Sequence, residues 1–143
     1  MPTSASDPEA LVDTSVAVAL VVADHEHHAS SAAAVGRRRL GLAGHATFET
    51  YSVLTRLPAP LRRRPEVVAE LLSVGFPGTR YLSVAGHRAL LGRLSAAQLG
   101  GGSVYDALVG ATAAEHGLPL VTRDRRAADV YRALDVDVEL LTR

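Results

Sequence analysis

The chain has 143 residues, 48% of them apolar, which allows one domain with a buried core and argues against general disorder. Its formal net charge is zero and all 15 basic residues are Arg. That balance argues against sequence-blind attraction to nucleic acid, and the absence of Lys excludes Walker-type phosphate loops and Schiff-base chemistry. With no Cys there is no disulfide framework, thiol nucleophile or thiolate metal site, a composition expected of a cytoplasmic protein.

Residues 1–9 read as a flexible tail and residues 10–143 as one domain; the start lacks the basic segment and apolar core of a signal peptide. Leu11-Val12 opens a strand, and Thr14 or Ser15 can cap a helix running through Val22. The longest apolar run, Val16 to Ala23, is far too short to span a membrane. Asp24 to His28 begins a second helix, Ala-rich to Val35 and stopped at Gly36. Leu42 to Ala46 is a short strand, after which Thr47 caps a helix carrying Phe48, Glu49, Tyr51, Val53 and Leu54. Pro58-Ala59-Pro60 must break that helix, and Pro65 suits the first position of the next, which runs to about Ser73. Gly75, Pro77 and Gly78 turn the chain into a strand at Arg80 to Ser83. Gly86 to Leu99 is helical, with Leu90, Leu91 and Leu94 inward, and Gly100 to Gly102 form a hinge.

Ser103 and Asp106 have capping-box spacing, which predicts a helix from Val104; Gly117 ends it where positive φ is tolerated. Leu118 to Thr122 is a buried strand with Asp124 just beyond it. Arg125 to Leu134 is helical, and Val136 to Leu140 alternates as a half-buried final strand does. Strands and helices alternate throughout, which predicts a three-layer α/β fold with a mainly parallel sheet of about four to five strands between helices.

Asp13, Glu49, Asp106 and Asp124 recur at strand ends and helix starts. Each alone has a structural role available, as a helix cap or a carboxylate at the positive end of a helix. Together they form a different pattern, because sites in open α/β sheets gather at the carboxyl ends of strands. Carboxylates converging there repel one another, and a divalent cation relieves the repulsion. Mg²⁺ takes oxygen ligands, keeps several waters, and supports in-line displacement at a phosphodiester.

The segments LVDTSVAVALV, FETYSVL and YDALVGATAAEHGLPLVTRD, in that order, resemble the PIN domain, and within it the VapC-type toxins of type II toxin–antitoxin pairs. The resemblance runs from Ala10 onward. It implies a metal-dependent endoribonuclease that cleaves cellular RNA and inhibits translation and growth, with Mg²⁺ as cofactor and Mn²⁺ as a substitute. By position, it makes Asp13 and Asp106 the principal metal ligands and Asp124 a further ligand, direct or through water. Glu49 then orients or deprotonates the attacking water, and Thr14 and Thr122 supply hydroxyls that steady the site. It also implies a VapB-like antitoxin, a homodimer within a toxin–antitoxin hetero-oligomer, and no membrane. Residues 1–9 depart from the family, whose chains commonly begin at the first strand.

Two other readings compete. One is a catalytically silent PIN-like module that binds RNA or protein; the presence of all four acids favours the nuclease. The other, a haloacid-dehalogenase-type phosphatase, needs a second Asp where Ser15 stands, and also a Lys. Arg123, Arg125 and Arg126 flank Asp124 and are candidate RNA contacts, with Arg62, Arg63 and Arg64 as a second set. His25 and His28 suggest zinc on one helix face, against the plainer exposed start of an Ala-rich helix. Tyr51 and Tyr105 sit beside site acids and can either stack on a base or fill the core.

Overall fold

β1 (Ala10–Val12) is fully shielded from solvent and everything else is layered around it. In the computed structural model, which describes residues 7–142, β1 lies between β2 (Leu40–Leu42) and β3 (Leu120–Thr122), and β4 (Val138–Leu140) completes the sheet. The order is β2-β1-β3-β4 and every pairing is parallel, with Leu11 facing Gly41 on one side and Leu120 on the other. Parallel neighbours need crossover helices, and these lie on both faces. The helices are α1 (Thr14–Val21), α2 (His28–Val35), α3 (Ala46–Thr55), α4 (Pro65–Gly75), α5 (Val84–Ala96), α6 (Ser103–His116) and α7 (Arg125–Ala133).

The pleat divides the core in two. Ala10, Val12, Leu40, Leu42 and Val121 point to one face and pack with Val16, Leu54, Val68 and Leu72 of α1, α3 and α4. Leu11 and Leu120 point to the other and pack with Leu90, Ala107, Ala127 and Tyr131 of α5, α6 and α7. This alternation of period two is why short apolar strands can serve two helical layers. The expected three-layer α/β architecture is the observed one.

Local differences have local causes. Of the candidate caps of α1, Asp13 serves, rather than Thr14 or Ser15, accepting from the Val16 N–H at 3.3 Å. α2 begins only at His28, because residues 24–27 form turns. β2 precedes the expected strand, and Gly44 at φ +49° turns the chain out of it. Thr47 does not cap α3; its N-cap is His45 and the Thr47 hydroxyl is buried without a partner. Arg80 to Ser83 is not a strand: Arg80 makes a single bridge to Ala43, and then Ser83 caps α5 by accepting from the Gly86 N–H at 2.9 Å. Leu91 points outward and is 74% exposed, whereas Leu90 is buried. Ser103 is already helical and caps nothing, the N-cap being Gly102. Gly117 ends α6 at φ +63°, as the sequence predicts.

Most of the expected tail lies outside the described residues. Asp7 and Glu9 are held against the body: Arg39 Nε donates to the Asp7 carbonyl at 2.8 Å, and the Arg39 N–H donates to Glu9 Oε2 at 2.8 Å. Among the described residues no helix is long and apolar enough to cross a membrane.

Candidate active site

β1 and β3 are neighbours, yet the chain leaves them toward opposite edges of the sheet, so a crevice opens at their carboxyl ends. Asp13 stands directly after β1 as the N-cap of α1, and Asp124 stands just beyond β3 as the N-cap of α7. Glu49 lies in the first turn of α3, and Asp106 in the first turn of α6. Each acid is thus placed at a helix N-terminus, where unpaired N–H groups favour negative charge.

Asp13 is buried and held by hydroxyls and amides. Its Oδ1 accepts from the Ser15 hydroxyl at 2.5 Å, and its Oδ2 accepts from the Tyr131 hydroxyl at 2.8 Å. Burial pushes its carboxyl above the ordinary range, and hydrogen bonds from Ser15, Thr122, Tyr131 and Val16 oppose the rise. Ser15 also accepts the Arg123 N–H at 2.9 Å and lies 3.4 Å from the Thr122 hydroxyl. Thr122 Oγ1 accepts the Asp124 N–H at 3.0 Å, so a hydroxyl chain ties the ends of β1 and β3 together. Thr14 is pinned to α3, within 3.4 Å of the Thr50 hydroxyl.

Asp106 is pushed up to about 6, first by burial and then by the charges of Asp124, Glu49 and Asp13. Glu49 is raised by burial, with His45 opposing and Asp13 adding to the rise. Asp106 is therefore within electrostatic reach of the other three acids, and Glu49 within reach of Asp13. Asp124 is exposed, and its Oδ1 accepts from the Arg126 and Ala127 N–H groups at 2.9 and 3.2 Å. Among the described residues no three Asp, Glu or His side chains are gathered tightly enough to hold one ion between them.

The PIN-domain family model matches residues 10–133, nearly the whole described chain. The chain belongs to the PIN-domain family. It is 47% identical over 131 residues to "Ribonuclease VapC27" of Mycobacterium tuberculosis, covering 92% of this chain and 96% of that one. It is 44% identical over 131 residues to "Ribonuclease VapC40" of the same species, covering 91% and 97%. Among solved structures, "Crystal Structure of FitAcB from Neisseria gonorrhoeae" matches with a TM-score of 0.63 at 19% identity, covering 90% of this chain and 94% of that chain, a likeness of fold.

Other residues of this PIN domain fall differently from their sequence expectations. Arg123 is directed to α2, where its Nη1 donates to the Ser31 hydroxyl at 3.2 Å, while Arg125 and Arg126 are exposed at the start of α7. His25 precedes α2 and His28 is inside it, so they share no helix face; His28 Nδ1 lies 2.8 Å from the Ala19 carbonyl. Tyr51 and Tyr105 are not core residues, being 37% and 55% exposed. Sequence reasoning missed Tyr131, whose ring is buried and whose proton is held firmly by burial and by the Asp13 charge. The signal was the inward face of α7, where Ala127 and Tyr131 stand four residues apart. It also missed His45, which lies 3.4 Å from Glu49 Oε1 and stacks on Tyr105.

Proposed function

We propose that this chain is an Mg²⁺-dependent endoribonuclease and the toxin of a toxin–antitoxin pair, with Asp13, Glu49, Asp106 and Asp124 as its site. The observation that carries the site is geometric: all four acids stand at helix N-termini, and Asp106, raised first by burial, is raised further by the charges of the other three. The donor set suits a hard divalent cation: all four side chains offer carboxylate oxygen, and Asp13 Oδ2, which accepts only from Tyr131, keeps a lone pair. Asp13 and Asp106, with Asp124 directly or through water, would hold the ion. Such an ion supplies charge neutralisation at the phosphodiester and a more acidic water. Glu49, with its raised proton affinity, is suited to take the proton of the attacking water as the phosphorus–oxygen bond to the leaving group breaks. Tyr131 and Ser15 fix the Asp13 carboxylate, and Thr122 steadies the turn that presents Asp124.

The relatives' names support RNA as substrate. A VapB-like antitoxin and a homodimer through helices early in the chain belong to the same proposal. Leu71 and Val74, exposed on α4, offer apolar surface for such docking. The test is cleavage of total RNA by the purified chain with Mg²⁺ or Mn²⁺ and with EDTA. Asp13→Asn and Asp106→Asn should each abolish cleavage and growth inhibition, because the amide keeps shape but loses the charge that holds the cation. Retained cleavage at saturating Mg²⁺ by either variant refutes the assignment, and binding without cleavage by the unaltered chain would favour the silent module.

A further inference from the structure

The chain has only four Tyr and two Phe, and its core uses few of them. Phe76 and Tyr131 are buried, whereas Phe48, Tyr51, Tyr81 and Tyr105 are 62%, 37%, 53% and 55% exposed. Exposing flat apolar rings costs hydrophobic stabilisation, so two of them gathered at one cavity call for a reason. Phe48 and Tyr105 line a cavity of about 720 Å³ between α3 and the start of α6, together with His45, Glu49, Arg56 and Asp106. Two of the proposed site acids therefore share a wall with two exposed rings. Tyr105 is held in position by His45, with ring centroids 5.3 Å apart and planes inclined by 18°. His45 is itself held by Glu49 at 3.4 Å. Arg56 has no hydrogen bond to its side chain and no ion pair among the described residues. Gly102 also lines the cavity and has open space where a Cβ would stand.

We infer that this cavity is the subsite for one unstacked nucleotide of a single-stranded RNA, its base against Tyr105 and Phe48 and a phosphate toward Arg56. The inference rests on the nuclease function proposed above and extends it from the reacting phosphodiester to the neighbouring nucleotide. A pre-positioned ring loses little entropy when a base stacks on it, and stacking accepts any base because every base has a π face. Duplex RNA keeps its bases stacked internally and presents no such face, so the subsite selects unpaired strands. Arg56 supplies the local positive charge that a neutral protein lacks overall.

The experiment uses the full chain in EDTA, so that binding is separated from cleavage, with a single-stranded RNA carrying 2-aminopurine as the probe. Binding to the unaltered chain should quench the probe, and the same RNA annealed to its complement should bind more weakly. Tyr105→Ala should weaken single-strand binding by about five- to a hundredfold and abolish the quenching, while Tyr105→Phe should stay within about twofold. Phe48→Ala should weaken binding with partial loss of quenching. Arg56→Ala should weaken binding and lower its salt dependence while the quenching of bound probe persists. Since all these side chains are exposed, melting curves should show the variants folded. If the unaltered chain cleaves RNA but Tyr105→Ala binds and quenches as before, the subsite is wrong and the nuclease stands. If the unaltered chain cleaves no RNA with Mg²⁺ or Mn²⁺, the nuclease proposal fails and the subsite falls with it. If Tyr105→Ala leaves RNA binding intact but abolishes association with a protein partner, the aromatic wall is a protein interface and the inference is overturned.

Discussion

Asp13 and Asp106 carry the same functional group in opposite surroundings. Asp13 accepts from Val16, Ser15 and Tyr131, so part of the cost of burying it is offset. Asp106 has no hydrogen bond to its side chain among the described residues and faces Asp124, Glu49 and Asp13. Its proton affinity in the fold, near 6, exceeds the unfolded value of 3.8, so the metal-free native state binds the proton more tightly. The stabilising contribution is fully present below the unfolded value and is lost as pH rises through about 6. Asp106→Asn should therefore raise the melting temperature in EDTA at about pH 7.5, with the gain vanishing near pH 4. No gain at neutral pH would mean that neither burial nor the other acids disfavour the Asp106 carboxylate in the metal-free fold. Asp13→Asn should behave in the opposite way, losing about 1–3 kcal/mol, because an amide N–H must face one of the donors that the carboxylate satisfies. Thermal melts of both variants side by side check the contrast.

The elements hold this arrangement through close backbone approaches as well as side-chain packing. Gly41 of β2 passes the backbone of Gly78 so closely that a Cβ there would lie 2.1 Å from the Gly78 carbonyl oxygen. The segment after α4 then covers the edge of β2, with Gly78 and Arg80 N–H groups donating to Leu40 and Leu42 at 3.2 Å. Gly41→Ala should cost about 3 kcal/mol or more, since backbone must move against backbone, and urea titration of the variant measures the loss. Gly92→Ala, on the exposed side of α5 with no atom near its Cβ, should be neutral or slightly stabilising in the same titration. These approaches explain why parts of the fold were readable in the sequence and others were not. β1, β3, the Gly117 stop and Pro65 at the head of α4 follow from local chemistry and are present, although β3 begins at Leu120 rather than Leu118. The strand expected at Arg80 to Ser83 fails for a tertiary reason: Glu115 of α6 accepts the Ser83 N–H at 2.9 Å and commits that residue to a helix start. Leu91 fails for a geometric one, because adjacent helical positions diverge by about 100° and only Leu90 and Leu94 share a face. At the site, the positions of the acids were legible because each follows a strand or opens a helix. Tyr131 was not, because its partner Asp13 comes from an element far away in the chain, whereas His45 stands one helical turn before Glu49, a local spacing that could have found it.

For the whole molecule, a formal net charge of zero means that RNA cannot be attracted by a uniform positive field. In the proposed nuclease, affinity must then come from local guanidinium groups set near the acids, whose positive charge offsets the repulsion between the carboxylates and the RNA backbone. α7 offers such groups. Asp124 turns its carboxylate back onto the N–H groups of Arg126 and Ala127, which leaves the Arg125 and Arg126 side chains exposed around the start of the helix. Arg123 is engaged with Ser31 on α2, so its side chain serves the packing of the turn and is the weaker candidate for a phosphate. The double variant Arg125→Ala, Arg126→Ala should therefore bind single-stranded RNA more weakly, and its affinity should depend less steeply on salt, by about 0.7 in logarithmic slope for each lost phosphate contact. Binding of Mg²⁺ should survive, because neither side chain is an oxygen donor, and isothermal titration of the metal checks that separately. The melting temperature should change little, since exposed Arg side chains without ion-pair partners contribute little to stability. An unchanged affinity together with an unchanged slope would show that these two residues only solvate α7, and the phosphate contacts would then have to be sought at Arg62, Arg63 and Arg64, all exposed ahead of α4.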